Sequence, residues 1–130
     1  MIRSKPSTSG TARQMNKPIA TFEQGDVVKV PFPYTDRSTR KSRPALVVSS
    51  GKIEEQHALL WVVMITSAQN KGWPGDVSVS NLKNAGLPVP SIIRSAKIAT
   101  IEASDASRLG CISSAKLKLV KGQILKELKA

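Results

Sequence analysis

Short alternating or apolar runs, each stopped by proline, glycine or a polar cluster, follow one another along most of this chain, and that rhythm restricts it to a small, mainly β fold. Asp26–Val30 alternates and halts at Pro31 and Pro33, which have no N–H to give a sheet ladder. Pro44–Ser49, with Ala45-Leu46-Val47-Val48 inside, reads as a strand apolar on both faces. Ala58–Thr66 is a third strand and the most apolar, and Asp76–Ser80 alternates cleanly as a half-buried fourth. Ser91–Ser95 and Lys97–Ile101 make two more short strands. Only after Asp105 does the apolar period lengthen, where Ser113 or Ser114 caps a helix with Leu117, Val120, Ile124 and Leu128 on its apolar face. Gly122 inside that helix costs about 1 kcal/mol against alanine, so the helix needs tertiary packing. The expected fold is mainly β (α+β): a small curled barrel of about six short strands, closed on one side by the C-terminal helix.

The 130 residues suit one domain with a modest core. Residues 1–22 carry Arg3, Lys5, Arg13 and Lys17, no acid and no apolar period, so they are expected to be a disordered basic arm. Met15 is the expected native start, with residues 1–14 a leader or tag, and 23–130 the folded domain. The arm has no apolar block followed by a small-residue cleavage site, which argues against a signal peptide. The longest apolar run, Ala58–Ile65, is far too short to span a bilayer. Cys111 is the single cysteine, so no internal disulfide forms, and its apolar neighbours suggest burial. A soluble, cytoplasmic protein with no membrane partner is the expectation.

The formal net charge of +11 and pI of about 10.2 favour a polyanionic partner through counterion release and steering. Nucleic acid, an acidic protein segment and an anionic membrane all meet that condition. Aromatic residues make up 4% of the chain, too few for a broad base-stacking platform. Two connections between strands are long, polar and basic. The first, Phe32–Ser42, holds Arg37, Arg40 and Lys41 and runs into Arg43-Pro44; the second, Ser67–Gly75, holds Gln69, Asn70, Lys71 and Trp73-Pro74. Such loops on a rigid barrel are where binding residues gather, although charged loops are more often merely solvated. Taken singly, Arg43 reads as a surface residue in a strand-entry turn and Thr66 as an ordinary strand end. Trp73 reads equally as a loop anchor or a base-stacking surface. Arg94 and Lys97 lie on late strands, facing either a groove or solvent.

The ordered set of motifs is more specific than any one of them. Gly25-Asp26-Val27-Val28-Lys29-Val30-Pro31-Phe32-Pro33-Tyr34-Thr35-Asp36, followed by Arg43-Pro44-Ala45-Leu46-Val47-Val48-Ser49, resembles the opening of MazF/PemK toxins. Met64-Ile65-Thr66-Ser67, Trp73-Pro74-Gly75-Asp76-Val77, Ser91-Ile92-Ile93-Arg94 and Lys97-Ile98-Ala99-Thr100-Ile101 resemble later blocks of that family, in order, over roughly residues 24–128. The resemblance implies a CcdB/MazF-type, SH3-like barrel that works as a homodimer, cuts single-stranded RNA at a short sequence, and is silenced by an acidic antitoxin. By position it makes Arg43 and Thr66 the catalytic pair. Arg37, Arg40, Lys41, Ser67, Lys71, Trp73 and Arg94 become RNA-binding candidates. Many members carry Ser-Glu-Gln before the arginine, whereas this chain reads Asp36-Arg37-Ser38-Thr39-Arg40-Lys41-Ser42.

The chemistry is consistent with those residue types. RNA brings its own nucleophile, the ribose 2′-OH, so the protein must orient the attack and offset charge on the phosphorane. A guanidinium forks onto phosphate oxygens and stays charged, and a threonine hydroxyl adds one more donor. The expected reaction needs neither metal nor cofactor. Arginine is a poor general base, leaving Asp36 or a water for that role. His57, the only histidine, follows Glu54-Glu55-Gln56 in a loop without a catalytic motif. One Cys and one His make no zinc site, the acids are scattered rather than paired for two metals, and no Gly-rich phosphate loop occurs. Two other functions fit such a barrel: non-catalytic RNA binding, and a CcdB-like gyrase poison. The second relies on a C-terminal tryptophan, and this chain ends Leu125-Lys126-Glu127-Leu128-Lys129-Ala130.

Overall fold

A computed structural model describes residues 21–31, 42–53, 56, 58–70 and 72–129. Six strands form one antiparallel sheet among these residues: β1 (Asp26–Pro31), β2 (Ser42–Val47), β3 (Leu59–Ser67), β4 (Val77–Val79), β5 (Ser91–Glu102) and β6 (Ser107–Cys111). Their order across the sheet is β4-β5-β3-β2-β1-β6. The helices are the short α1 (Leu82–Ala85) and the C-terminal α2 (Ser114–Leu128). The curled sheet closed by α2 is the expected mainly β architecture, with different strand membership.

The central strands β1, β2 and β3 are buried on both faces, which is why their sequences read as almost continuous apolar runs. Val28, Val30, Ala45, Val47, Val62 and Met64 belong to one cluster, completed by Phe22, Leu60, Ile101 and Ala103. Val27, Leu46, Val63, Ile65 and Ile93 belong to the other, where Val120 of α2, Ala85 of α1 and Val77 and Val79 of β4 complete the packing. Phe22, the last residue of the expected arm, is 3% exposed and belongs to this core; residues 1–20 lie outside the described chain.

The two late strands expected over Ser91–Ser95 and Lys97–Ile101 are one strand. β5 runs through both, but its register on β3 jumps from Met64↔Arg94 to Val63↔Ile98, leaving Ser95, Ala96 and Lys97 without partners on β3. The break in apolar alternation was therefore a bulge within a strand, which bends the sheet and increases its twist. β6 was not expected, because Ser107-Arg108-Leu109-Gly110-Cys111 lacks alternation. It pairs at the sheet edge with β1 alone and carries a bulge of its own at Leu109. Edge position also corrects the burial expected of Cys111, which is exposed.

Glycines allow this edge to close. A Cβ on Gly110 would lie 2.2 Å from the Asn84 carbonyl oxygen, and one on Gly86 would lie 2.2 Å from that of Leu109. Gly86 is also the left-handed cap of α1, with φ of 72°. Asp26 ties the same corner together, accepting the Glu23 N–H at 2.9 Å and pairing with Arg108 at 3.1 Å. The α2 cap is Ser113, whose Oγ accepts the Lys116 N–H at 3.2 Å. Val120 is fully buried, whereas Leu128, expected on the same apolar face, is 71% exposed.

Candidate active site

β2 and β3 pair antiparallel as Val47↔Val62, Leu46↔Val63 and Ala45↔Met64. Arg43 and Thr66 each lie two residues beyond the last of these pairs, Ala45↔Met64, at the same end of the two strands. Both line one cleft of about 430 Å³, together with Lys29 of β1, Ser67 at the end of β3, Asn70 after it, and the Gly86–Val89 segment after α1. The cleft thus draws on residues distant in sequence, brought together by sheet pairing and by the close approach of α1 to β6.

Thr66 is 7% exposed and its Oγ1 accepts a hydrogen bond from Asn70 Nδ2 at 2.6 Å. Arg43 is half-buried. The described lining holds two cations, Arg43 and Lys29, several hydroxyls including Ser42, Thr66, Ser67 and Ser91, and no carboxylate. Such a surface favours an anion with several acceptor oxygens. Among the described residues, no three His, Cys, Asp or Glu side chains gather as a metal site would require.

The other predicted site residues fall into three groups. Ser67 lines the cleft. Arg37, Arg40, Lys41 and Lys71 lie outside the described residues, as do Asp36 and His57. The connection bearing the first three leaves from Pro31 and re-enters at Ser42, residues paired across β1 and β2, and Ser42 lines the cleft. Trp73 and Arg94 form a separate cluster. Arg94 reaches Asp76 with Nε at 3.3 Å from Oδ1 and Nη2 at 3.0 Å from Oδ2, and its guanidinium carbon sits 4.1 Å from the centroid of the Trp73 ring. Asp76 also accepts the Trp73 N–H at 2.8 Å. Lys97, in the β5 bulge, places its ammonium 5.9 Å from the same ring. This cluster pins the end of the Ser67–Gly75 connection, while 42% of Trp73 stays exposed.

Sequence reasoning passed over Lys29 and Asn70 as site residues. Lys29 is the one exposed position in an otherwise buried run of β1, and an isolated charge there was the available signal. Asn70 carried none, since asparagine in a turn is ordinary.

The family model for the PemK-like, MazF-like toxin of type II toxin–antitoxin systems matches residues 23–128. The chain belongs to this family. Solved structures agree on the fold of this PemK/MazF-like toxin. A MazF crystal structure from Deinococcus radiodurans superposes with a TM-score of 0.69 at 22% identity, over 85% of this chain and 99% of that one. A MazE–MazF structure from the same organism gives 0.66 at 20% identity, over 85% and 97%. A mycobacterial endoribonuclease in complex with its cognate antitoxin gives 0.62 at 18%, over 82% and 93%. No curated relative matches the toxin at the sequence level. No helix among the described residues is long and apolar enough to cross a membrane.

Proposed function

We propose that this toxin is a cytoplasmic endoribonuclease that cleaves single-stranded RNA at a short sequence by attack of the ribose 2′-OH on the adjacent phosphate. The observation that carries the reading is the convergence of Arg43 and Thr66 on one cleft, with Lys29 beside them and no carboxylate among the described lining residues. In the reaction the 2′-oxygen bonds to phosphorus, the bond to the 5′-oxygen breaks, and a 2′,3′-cyclic phosphate and a 5′-hydroxyl result. The 2′-OH proton passes to a base, Asp36 or a water, and the leaving 5′-oxygen takes one up. Arg43 forks onto the non-bridging oxygens, where negative charge grows, and Thr66 donates one further hydrogen bond. No metal is assigned a part in these steps.

Arg37, Arg40, Lys41, Ser67 and Lys71 are proposed to hold the RNA strand on either side of the scissile phosphate. Trp73 and Arg94 are proposed to shape the far end of that path, Arg94 through the ion pair that sets the ring. The proposed assembly is a homodimer, and its regulator an antitoxin with an acidic, disordered segment. The endoribonuclease–antitoxin and MazE–MazF structures of the same fold support such a partner.

The test is cleavage of a long single-stranded RNA in EDTA by wild type, Arg43→Ala and Thr66→Ala. Cyclic-phosphate ends from wild type alone are the expected result. Binding without cleavage, over RNAs of varied sequence, would leave a non-catalytic RNA-binding barrel as the function.

A further inference from the structure

We infer that Asn70 is a positioning residue for Thr66, holding the threonine hydroxyl so that its proton points into the cleft. The inference rests on the reading of Thr66 as a donor to the scissile phosphate. Asn70 Nδ2 lies 2.6 Å from Thr66 Oγ1, and both residues line the cleft. A hydroxyl has one proton and two lone pairs, and left alone it rotates among staggered positions and donates wherever an acceptor is offered. An amide N–H donated onto one lone pair takes away the choice. The threonine proton must then point elsewhere, and nearly buried Thr66 lines the cleft.

The backbone explains why the asparagine reaches back. The Asn70 N–H donates to the Ser67 carbonyl at 3.0 Å, closing a tight turn directly after β3. Ser67 Oγ accepts the Gln69 N–H at 3.2 Å, and the Ala68 N–H donates to the Pro90 carbonyl at 2.9 Å. These three bonds fix the turn to itself and to the segment that walls the cleft. Asn70 is itself exposed, and its side chain reaches back to the end of the strand.

Polarity is the substance of the inference. Were the amide turned over, its oxygen would accept the Thr66 proton and withdraw it from the substrate, and removing Asn70 would leave turnover unchanged or raise it. The test measures kcat and KM on single-stranded RNA for wild type, Asn70→Ala, Asn70→Asp, Thr66→Ala and the Thr66→Ala/Asn70→Ala double variant. It also measures affinity for the same RNA made uncleavable by a 2′-deoxy substitution at the cut site. Asn70→Ala is expected to lower kcat roughly tenfold, the worth of one orienting hydrogen bond, with KM and affinity for the deoxy analogue within about twofold of wild type. Asn70→Asp, which can only accept from Thr66, is expected to lose more. In the Thr66→Ala background the alanine at position 70 is expected to cost less than about twofold, because there is no hydroxyl left to orient.

An unchanged kcat in Asn70→Ala, an equal loss with and without Thr66, or an Asn70→Asp variant as active as wild type would each overturn the inference while leaving the endoribonuclease reading intact. Wild type that cuts no RNA would overturn both.

Discussion

Arg43 is half-buried and lines the same cleft as Thr66, and the two differ in what a substitution removes. Arg43→Ala takes away a fixed charge with a forked donor face, and Thr66→Ala a single neutral donor. Loss of a donor aimed at developing charge lowers kcat roughly a hundred- to a thousand-fold, with Arg43→Ala expected at the upper end. Arg43→Lys keeps the charge but loses the fork, so it should recover only part of the rate. Single-turnover cleavage of a short RNA measures all three. Lys29 acts differently, as a cation exposed on β1 at the cleft wall. Lys29→Ala should weaken RNA binding uniformly across sequences and reduce the slope of log affinity against log salt by about one. A slope equal to that of wild type would show that Lys29 touches no phosphate.

Among the elements, the edge formed by β6 and α1 supports the cleft wall. Gly110 and Gly86 let the two backbones meet where any Cβ would collide with a carbonyl. Gly110→Ala is expected to destabilise the fold by about 1–3 kcal/mol, through a forced backbone shift. It should also slow cleavage, because the Gly86–Val89 segment lines the cleft. Urea denaturation read beside kcat tests both parts. Arg94 and Asp76 make a comparable anchor on the opposite side of the sheet, with side chains only 9% and 10% exposed. Arg94→Ala leaves a buried carboxylate without its guanidinium and is expected to cost roughly 3–5 kcal/mol. Little of this edge was legible in the residues. Ser107–Cys111 forms a strand because β1 presents an open ladder beside it, and its own pattern shows neither alternation nor an apolar face. The β5 bulge was misread as a strand break for a related reason: three residues without partners look like a turn until the pairing on both sides is known.

The whole molecule leaves an apolar groove of about 500 Å³ between the sheet and the second half of α2, with Trp61, Ile98, Leu125 and Leu128 on it. Those four residues are 48%, 51%, 62% and 71% exposed, so the groove presents an apolar face to solvent. A homodimer, as proposed above, would cover this face. Ile98→Glu or Leu125→Glu should shift sedimentation at micromolar concentration from dimer to monomer. A wild type that sediments as a monomer would remove the homodimer from the proposal. At the same scale, the net charge of +11 predicts that RNA and an acidic antitoxin segment compete, and that both affinities fall steeply with salt. An inhibitor that binds equally well at low and high salt would contradict this.

By itself, the order of residues determined that this chain makes a mainly β barrel with a capped C-terminal helix, because alternation, proline stops and a serine cap at 113 or 114 are local properties that carry their own physical signal. It also singled out Arg43 and Thr66, through the resemblance of its ordered motifs to MazF/PemK toxins. Tertiary structure alone decided that these two line one cleft from adjacent strands, that Lys29 and Asn70 join them, and that Arg94 turns to Asp76 and Trp73. Those relations depend on strand register and on how closely two backbones approach. Neither is written in any one segment, since each is settled only when distant segments pair.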